Sequence, residues 1–127
     1  MKPGKKSPRR KLVSDLDKIF SLYIRARDNR DRGHCFFCEK PIEHNFHFIT
    51  RAKYATRWDE VNCIGSCAGC NYAMEWNPHP YIQWFIRHFS LDTYEALILK
   101  SNQIAKLSSE ELAEMVERYR GKLKEIV

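Results

Sequence analysis

Four of the five cysteines stand as two Cys-x-x-Cys pairs, Cys35/Cys38 and Cys67/Cys70. A two-residue gap lets both thiolates of a pair reach one ion from a tight knuckle. Two such knuckles supply four sulfurs in a tetrahedron, the saturated arrangement of a structural zinc ion rather than a reacting one. The alternatives are a redox dithiol or coincidence; two matched pairs in 127 residues favour zinc. The 28 residues between Cys38 and Cys67 exceed the usual zinc-ribbon gap, so they must hold a folded insert. Cys63 is left over and reads as a small buried apolar side chain. Just past the second pair, Asn71 and Glu75 lie four apart, which on a helix puts them on one face. Glu75 there offers the carboxylate oxygen that a hard cation prefers.

Several elements must position these groups. Leu12, Leu16, Ile19, Phe20, Tyr23 and Ile24 recur at three- and four-residue spacing and predict a helix over about 14–29, with Ser14 and Asp17 as its capping box. The polar run 28–33 closes it. The β-branched and aromatic stretch 42–50 predicts a strand, 51–58 an irregular or briefly helical segment, and 60–64 a second strand. A helix over about 68–76 follows the second knuckle and breaks at Asn77-Pro78, with Asn77 as the next N-cap. Tyr81, Ile82, Trp84, Phe85, Ile86 and Phe89 are apolar nearly all round and imply a buried helix. Asp92 with Glu95 predicts a helix through about 103, and Ser108 with Glu111 a last one. That last helix carries the stripe Leu112, Met115, Val116, Tyr119, Leu123 and Ile126, with acids at its start and bases at its end. Trp58, Trp76 and Trp84 read as core. The fold class is α+β and mostly helical: a small zinc-bound hairpin–helix core packed with an N-terminal helix and about three C-terminal helices. Residues 12–127 form a single domain, divisible into a helix at 12–33, a zinc-bracketed unit at 34–77 and a helical part at 78–127.

Composition bounds the rest. Hydrophobic residues make up 43% and aromatics 13%, which suits a compact core rather than a disordered chain. No apolar stretch approaches membrane-spanning length and no signal-peptide core is visible, so a soluble, cytoplasmic protein without a membrane partner is expected. The net charge of +6 is concentrated at one end. Residues 1–11 carry Lys2, Lys5, Lys6, Arg9, Arg10 and Lys11 without an acid, whereas 12–127 hold 16 basic and 16 acidic residues. This Pro-, Gly- and Ser-containing tail is expected to be disordered and to meet a polyanion, with nucleic acid as its natural partner. A merely solubilising terminus is the alternative.

Within and after the insert come His47, then Asn62, then Asn71 directly after Cys70. A histidine near the end of one strand, an asparagine on the next and a polar residue opening a helix resemble the HNH, or ββα-metal, nuclease arrangement. Many such nucleases bracket the hairpin with two Cys-x-x-Cys knuckles. His47-Phe48, Arg57-Trp58-Asp59-Glu60-Val61-Asn62 and Cys67-Ala68-Gly69-Cys70-Asn71 narrow the resemblance to the NinG/Rap recombination nucleases of lambdoid phages. It extends through Asn77, Pro80-Tyr81 and the segment Tyr119-Arg120-Gly121-Lys122-Leu123-Lys124, and so covers roughly 12–127. The resemblance implies an HNH-like core. It also implies a metal-dependent endonuclease for branched DNA such as Holliday junctions and D-loops, working in the host bacterial cytoplasm alongside other phage or host recombination proteins.

On that resemblance His47 is the general base, because an imidazole titrates near neutrality and can take a proton from water. Asn62 orients the imidazole or fastens the hairpin; alone it reads equally as a turn residue. One Mg2+ or Mn2+ ion would neutralise developing charge, held by Asn71 and Glu75. Asn71 reads equally as a helix cap and Glu75 as a solvated acid. The family pattern has an acid three residues before the histidine and a glycine immediately before it; here His44 and Phe46 stand there. On a regular strand His44 would face away from His47, so it could ligate only if the strand bends. Arg51, Lys53 and Arg57 on the inter-strand loop would grip phosphates, or form an ordinary charged loop. Lys5, Lys6, Arg9, Arg10 and Lys11 would add contacts from the tail.

Two other functions fit the same residues. One is a zinc-stabilised DNA-binding or adaptor module without catalysis, which the substitutions before His47 favour. The other is an HNH enzyme acting on RNA or on linear duplex. A two-fold dimer would suit the two symmetric strands of a four-way junction, and the C-terminal stripe could supply its interface, although packing within one chain explains that stripe more simply.

Overall fold

The computed structural model describes residues 7–127. The chain runs as α1 (Pro8–Asp31), β1 (His44–His47), α2 (Tyr54–Arg57), β2 (Cys63–Ser66), α3 (Ala68–Ala73), α4 (His79–His88), α5 (Leu91–Ser101) and α6 (Ser109–Ile126). It is mostly helical, with one two-stranded antiparallel sheet.

The first helix starts earlier than its apolar periodicity predicts. Ser7 is the N-cap, its hydroxyl accepting from the Arg10 N–H at 3.2 Å, and Pro8 occupies the first turn. A serine followed by proline is a stronger start signal than Ser14, which lies well inside the helix. Arg9, Arg10 and Lys11 are therefore helical rather than part of a disordered tail; Lys2, Lys5 and Lys6 lie outside the described residues. The helix ends at Asp31 with Arg32 as its C-cap, and Gly33 follows with a φ of 83°, which favours glycine.

Two packed clusters sandwich the hairpin. In one, Leu16, Phe20, Tyr23 and Ile24 of α1 meet Leu112, Val116 and Tyr119 of α6, together with Trp58 and Cys63. Phe20 and Tyr119 touch edge to face at 4.8 Å. Each such buried side chain stabilises the fold by about 1.5–3 kcal/mol. The stripe of α6, opened by the Ser108/Glu111 capping box, is thus consumed within the chain. In the other cluster, Phe46, Phe48 and Ile64 pack with Phe36, Tyr81, Phe85 and Leu97 around the cysteines.

A two-stranded hairpin is marginal by itself. Here α1 covers its open edge. The Gly65 N–H donates to Asp28 Oδ2 at 2.6 Å, Arg27 donates to the Cys63 carbonyl at 3.0 Å, and Arg32 to the Gly65 carbonyl at 3.2 Å. A Cβ at Gly65 would lie 3.0 Å from the Ile42 side chain and 3.2 Å from Asp28 Cβ, so this close approach needs glycine.

Other boundaries differ from expectation. The strands are shorter and shifted, His44–His47 against 42–50 and Cys63–Ser66 against 60–64. In each, only the residues facing a ladder partner count as strand. The cap of α5 is Ser90, whose hydroxyl accepts from the Thr93 N–H at 3.0 Å, rather than Asp92. Pro78, not Asn77, precedes α4. That helix buries Tyr81 and Phe85 but leaves Phe89 exposed, so it is amphipathic rather than apolar on all sides. Trp58 is buried and Trp84 half-buried as expected, whereas Trp76 is 67% exposed; the chain turns outward before Asn77-Pro78 and leaves it no core to enter.

Candidate functional site

The four paired cysteines converge. Their sulfurs all lie within 4.8 Å of one another, with Cys38–Cys67 at 3.5 Å and Cys38–Cys70 at 3.9 Å. Four thiolates at zinc–sulfur bond length, on the corners of a tetrahedron, stand about 3.8 Å apart. A disulfide would need about 2 Å. The knuckles are shaped by backbone N–H groups that donate to sulfur, Phe37 to Cys35 at 3.5 Å and Cys70 to Cys67 at 3.4 Å. The donor set and spacing therefore suit one metal ion with no coordination position left for a substrate, as in structural zinc sites. Cys63 takes no part; it is buried in the α1–α6 cluster, and burial pushes its thiol pKa up.

The second site is a cavity of about 620 Å³ lined by β1, α3, α1 and the inter-strand loop; Phe48 and Met74 of the cysteines' cluster form part of its wall. His44, Asn45, His47, Asn71 and Glu75 all border it, with Asp17, Arg51 and Arg57. The structure thus gathers the predicted base and the three predicted cation ligands around one space. Asn71 sits in α3, which ends at Ala73 rather than 76; Glu75 follows in a tightened turn, its N–H donating to the Tyr72 carbonyl at 3.1 Å. His44 reaches the cavity although the ladder runs without a slip from His44↔Ser66 to His47↔Cys63. Phe46 points the other way, into the aromatic cluster, 4.8 Å from Phe36 and 5.1 Å from Phe48.

The His47 ring is fixed by a main-chain contact. Its Nε2 lies 2.9 Å from the Arg57 carbonyl oxygen, which can only accept, so Nε2 carries the proton. In the neutral ring Nδ1 then keeps its lone pair. Burial depresses the His47 pKa below the ordinary histidine value; the charge of Arg51 adds to this, while the Arg57 carbonyl opposes it. The ring is therefore neutral at pH 7.

Asn62 has the fastening role of the two expected for it. It is fully buried; Oδ1 accepts from the Ile49 N–H at 2.8 Å, and Nδ2 donates to the Ile49 and Thr56 carbonyls, both at 3.0 Å. It touches His47 only through the turn it closes, since the carbonyl beside that of Thr56 is the one that holds Nε2.

The loop cations divide. Arg57 is not open to a phosphate: it donates to Asp17 from Nε at 3.0 Å and Nη2 at 2.6 Å, and to the Arg51 carbonyl at 3.2 Å. Asp17 also accepts from Trp58 Nε1 at 2.9 Å. Lys53 donates to Asn102 Oδ1 at 3.3 Å, away from the cavity lining. Arg51, 66% exposed and 3.9 Å from Asp17, remains available at the rim. Sequence reasoning missed Asp17, reading it as a cap residue, and Asn45. The signal for Asn45 was present: it lies two residues before His47 and hence on the same strand face.

Among the described residues no helix is long and apolar enough to cross a membrane. No curated protein and no solved structure matches the chain significantly. A family model described as NinG: Bacteriophage Lambda NinG protein matches residues 2–127, so the chain belongs to this phage protein family.

Proposed function

We propose that the protein is a metal-dependent, structure-selective DNA endonuclease of HNH type, acting on branched recombination intermediates such as Holliday junctions in the host bacterial cytoplasm. Membership of the family suggests a phage recombination-related role. The observation that carries the catalytic reading is His47: Nε2–H committed to the Arg57 carbonyl, the ring neutral, and the residue bordering the same cavity as Asn71 and Glu75. His47 Nδ1 would take a proton from water as the oxygen attacks phosphorus and the phosphorus–oxygen bond to the leaving sugar breaks. Asn71 and Glu75, with His44, would hold a Mg2+ or Mn2+ ion. That ion would supply charge neutralisation and assistance to the leaving oxygen. Arg51 would steady a neighbouring phosphate, and Arg9, Arg10 and Lys11 on the first turn of α1, with Lys5 and Lys6, would add affinity for the backbone. The four-cysteine zinc would hold the hairpin against α3 and do no chemistry.

One observation favours the second reading, a non-catalytic zinc-stabilised DNA-binding or adaptor module. Glu75 is the single cavity carboxylate without an ion-pair partner among the described residues, since Asp17 is taken by Arg57. Purified zinc-loaded protein, incubated with Mg2+ or Mn2+ and a four-way junction, separates the two. The nuclease reading expects nicking, lowered about 10²–10⁴-fold in His47→Ala with zinc content and junction binding retained. Cleavage at the normal rate by that variant overturns the assignment of the base. Junction binding without cleavage under any divalent metal establishes the adaptor instead. Parallel reactions on RNA and linear duplex define the substrate.

A further inference from the structure

Position 46, immediately before the base, gives the cavity no ligand, because the Phe46 ring is buried in the aromatic cluster. The neighbouring residue on the cavity side is Asn45. Among the described residues, Asn45 Oδ1 is the buried side-chain oxygen or nitrogen that has no hydrogen-bond partner. A buried amide oxygen left unpaired is costly, and native proteins usually meet one with ordered water or a bound ion. The amide end of the same side chain hydrogen-bonds the Cys63 sulfur, diagonally across the ladder. This fixes which end of the amide faces the sulfur and leaves Oδ1 as the free acceptor. Cys63 in turn lies 3.7 Å from the Arg57 carbonyl that also holds His47 Nε2. Asn45 and His47 are thus oriented by one shared set of groups.

We infer that Asn45, through Oδ1, is the β1 oxygen ligand of a divalent cation in this cavity, facing Asn71 and Glu75 of the α3 segment. Neutral amide oxygens are ordinary ligands for hard cations. A site with two amide oxygens, the His44 imidazole and one carboxylate has low charge, so it should hold its ion weakly and exchangeably. The inference also gives the leftover cysteine a task, that of an orienting neighbour rather than a ligand. It rests on the proposed reading of the cavity as a cation site.

The test is titration of the full-length, zinc-loaded protein with Mn2+, following the free ion by electron paramagnetic resonance. Asn45→Asp keeps the side chain's shape and replaces the amide oxygen by a charged one, so Mn2+ should bind more tightly. Asn45→Leu removes the oxygen and should weaken binding at least about tenfold, with zinc content and far-UV circular dichroism confirming a folded variant. Unchanged Mn2+ affinity in both variants, beside a loss in Glu75→Gln, overturns the role of Asn45 and leaves the nuclease reading standing. Failure of the wild type to cut DNA overturns the nuclease reading instead, while the Mn2+ affinities still decide Asn45. Absence of any Mn2+ binding by the wild type overturns the inference outright.

Discussion

Cys67 and Cys70 are followed at once by Asn71 and Glu75, so two sites share one short helix and are nonetheless built in opposite ways. The sulfur cluster takes four identical donors from two knuckles, each shaped by its own backbone N–H groups. The cavity takes imidazoles, amides and a carboxylate from β1 and the α3 segment, and its wall is held from further away: His47 by the Arg57 carbonyl, that turn by Asn62, the Arg57 side chain by Asp17 of α1. The first arrangement is local and saturated. The second is long-range and open, which suits the proposed reaction, since that would have to admit water and a phosphate. The difference implies that metal at the sulfur site supports folding, and that the cavity's geometry depends on tertiary contacts that can be loosened without unfolding the chain.

The largest expected effect tests the first half of this contrast. Stripping the sulfur site with a strong chelator, or replacing Cys67 by serine, should remove stabilisation on the order of 10 kcal/mol. The Phe36–Phe46–Tyr81 cluster is built directly on these cysteines and should lose its packing. Near-UV circular dichroism and proteolysis would report this. Mild chelation that removes only a weakly bound ion should stop cleavage reversibly and leave the dichroism unchanged. A single transition, in which cleavage and folding fail together as zinc leaves, would break the contrast.

A smaller effect tests the second half. Asp17→Asn keeps the side chain's size but removes the charge that receives two Arg57 donors and Trp58 Nε1. These charge-assisted bonds are partly buried, and their loss should cost about 1–3 kcal/mol in urea unfolding. The Arg57 turn should also loosen, so cleavage should fall by more than the folded fraction does, while zinc content stays at one ion per chain. If zinc is lost as well, the two sites are one cooperative unit.

What the sequence made legible follows the same division. The sulfur site could be read from spacing alone, because each knuckle is four residues long. The Ser108/Glu111 cap and the stripe of α6 were equally local. His47, Asn71 and Glu75 could be gathered only by resemblance, and the structure does bring them to one cavity. Asp17 was read only as a cap, Arg57 as a phosphate contact or a charged loop residue, and Asn62 was left between two roles, because their partners lie up to 41 residues away in the chain and involve main-chain carbonyls that carry no sequence signature. Trp76 was misread because composition favours burying tryptophan, whereas the outward turn after α3 exposes it.

Acid sharpens the comparison further, since it attacks both sites for different reasons. Protons compete with the metal for the four thiolates, so acid weakens the sulfur cluster by releasing its ion. His47 is weakened because its buried ring resists taking a charge. Its folded pKa is depressed, mainly by burial, relative to the ordinary histidine value near 6.5. The unfolded chain therefore binds a proton first as the pH falls. The contribution of His47 to stability is complete above about pH 6.5 and is lost as the pH drops through the folded value, with a slope of at most about 1.4 kcal/mol per pH unit. Urea unfolding of wild type and His47→Gln between pH 7.5 and 5.5 isolates this term, because zinc release is common to both proteins and cancels in their difference. The wild type should lose stability faster on the acid side, and the acid limb of its cleavage rate should lie below pH 6.5. Parallel stability curves for the two proteins would mean that the His47 ring is not held neutral by its surroundings, and the cavity would then lose its claim to a tuned base.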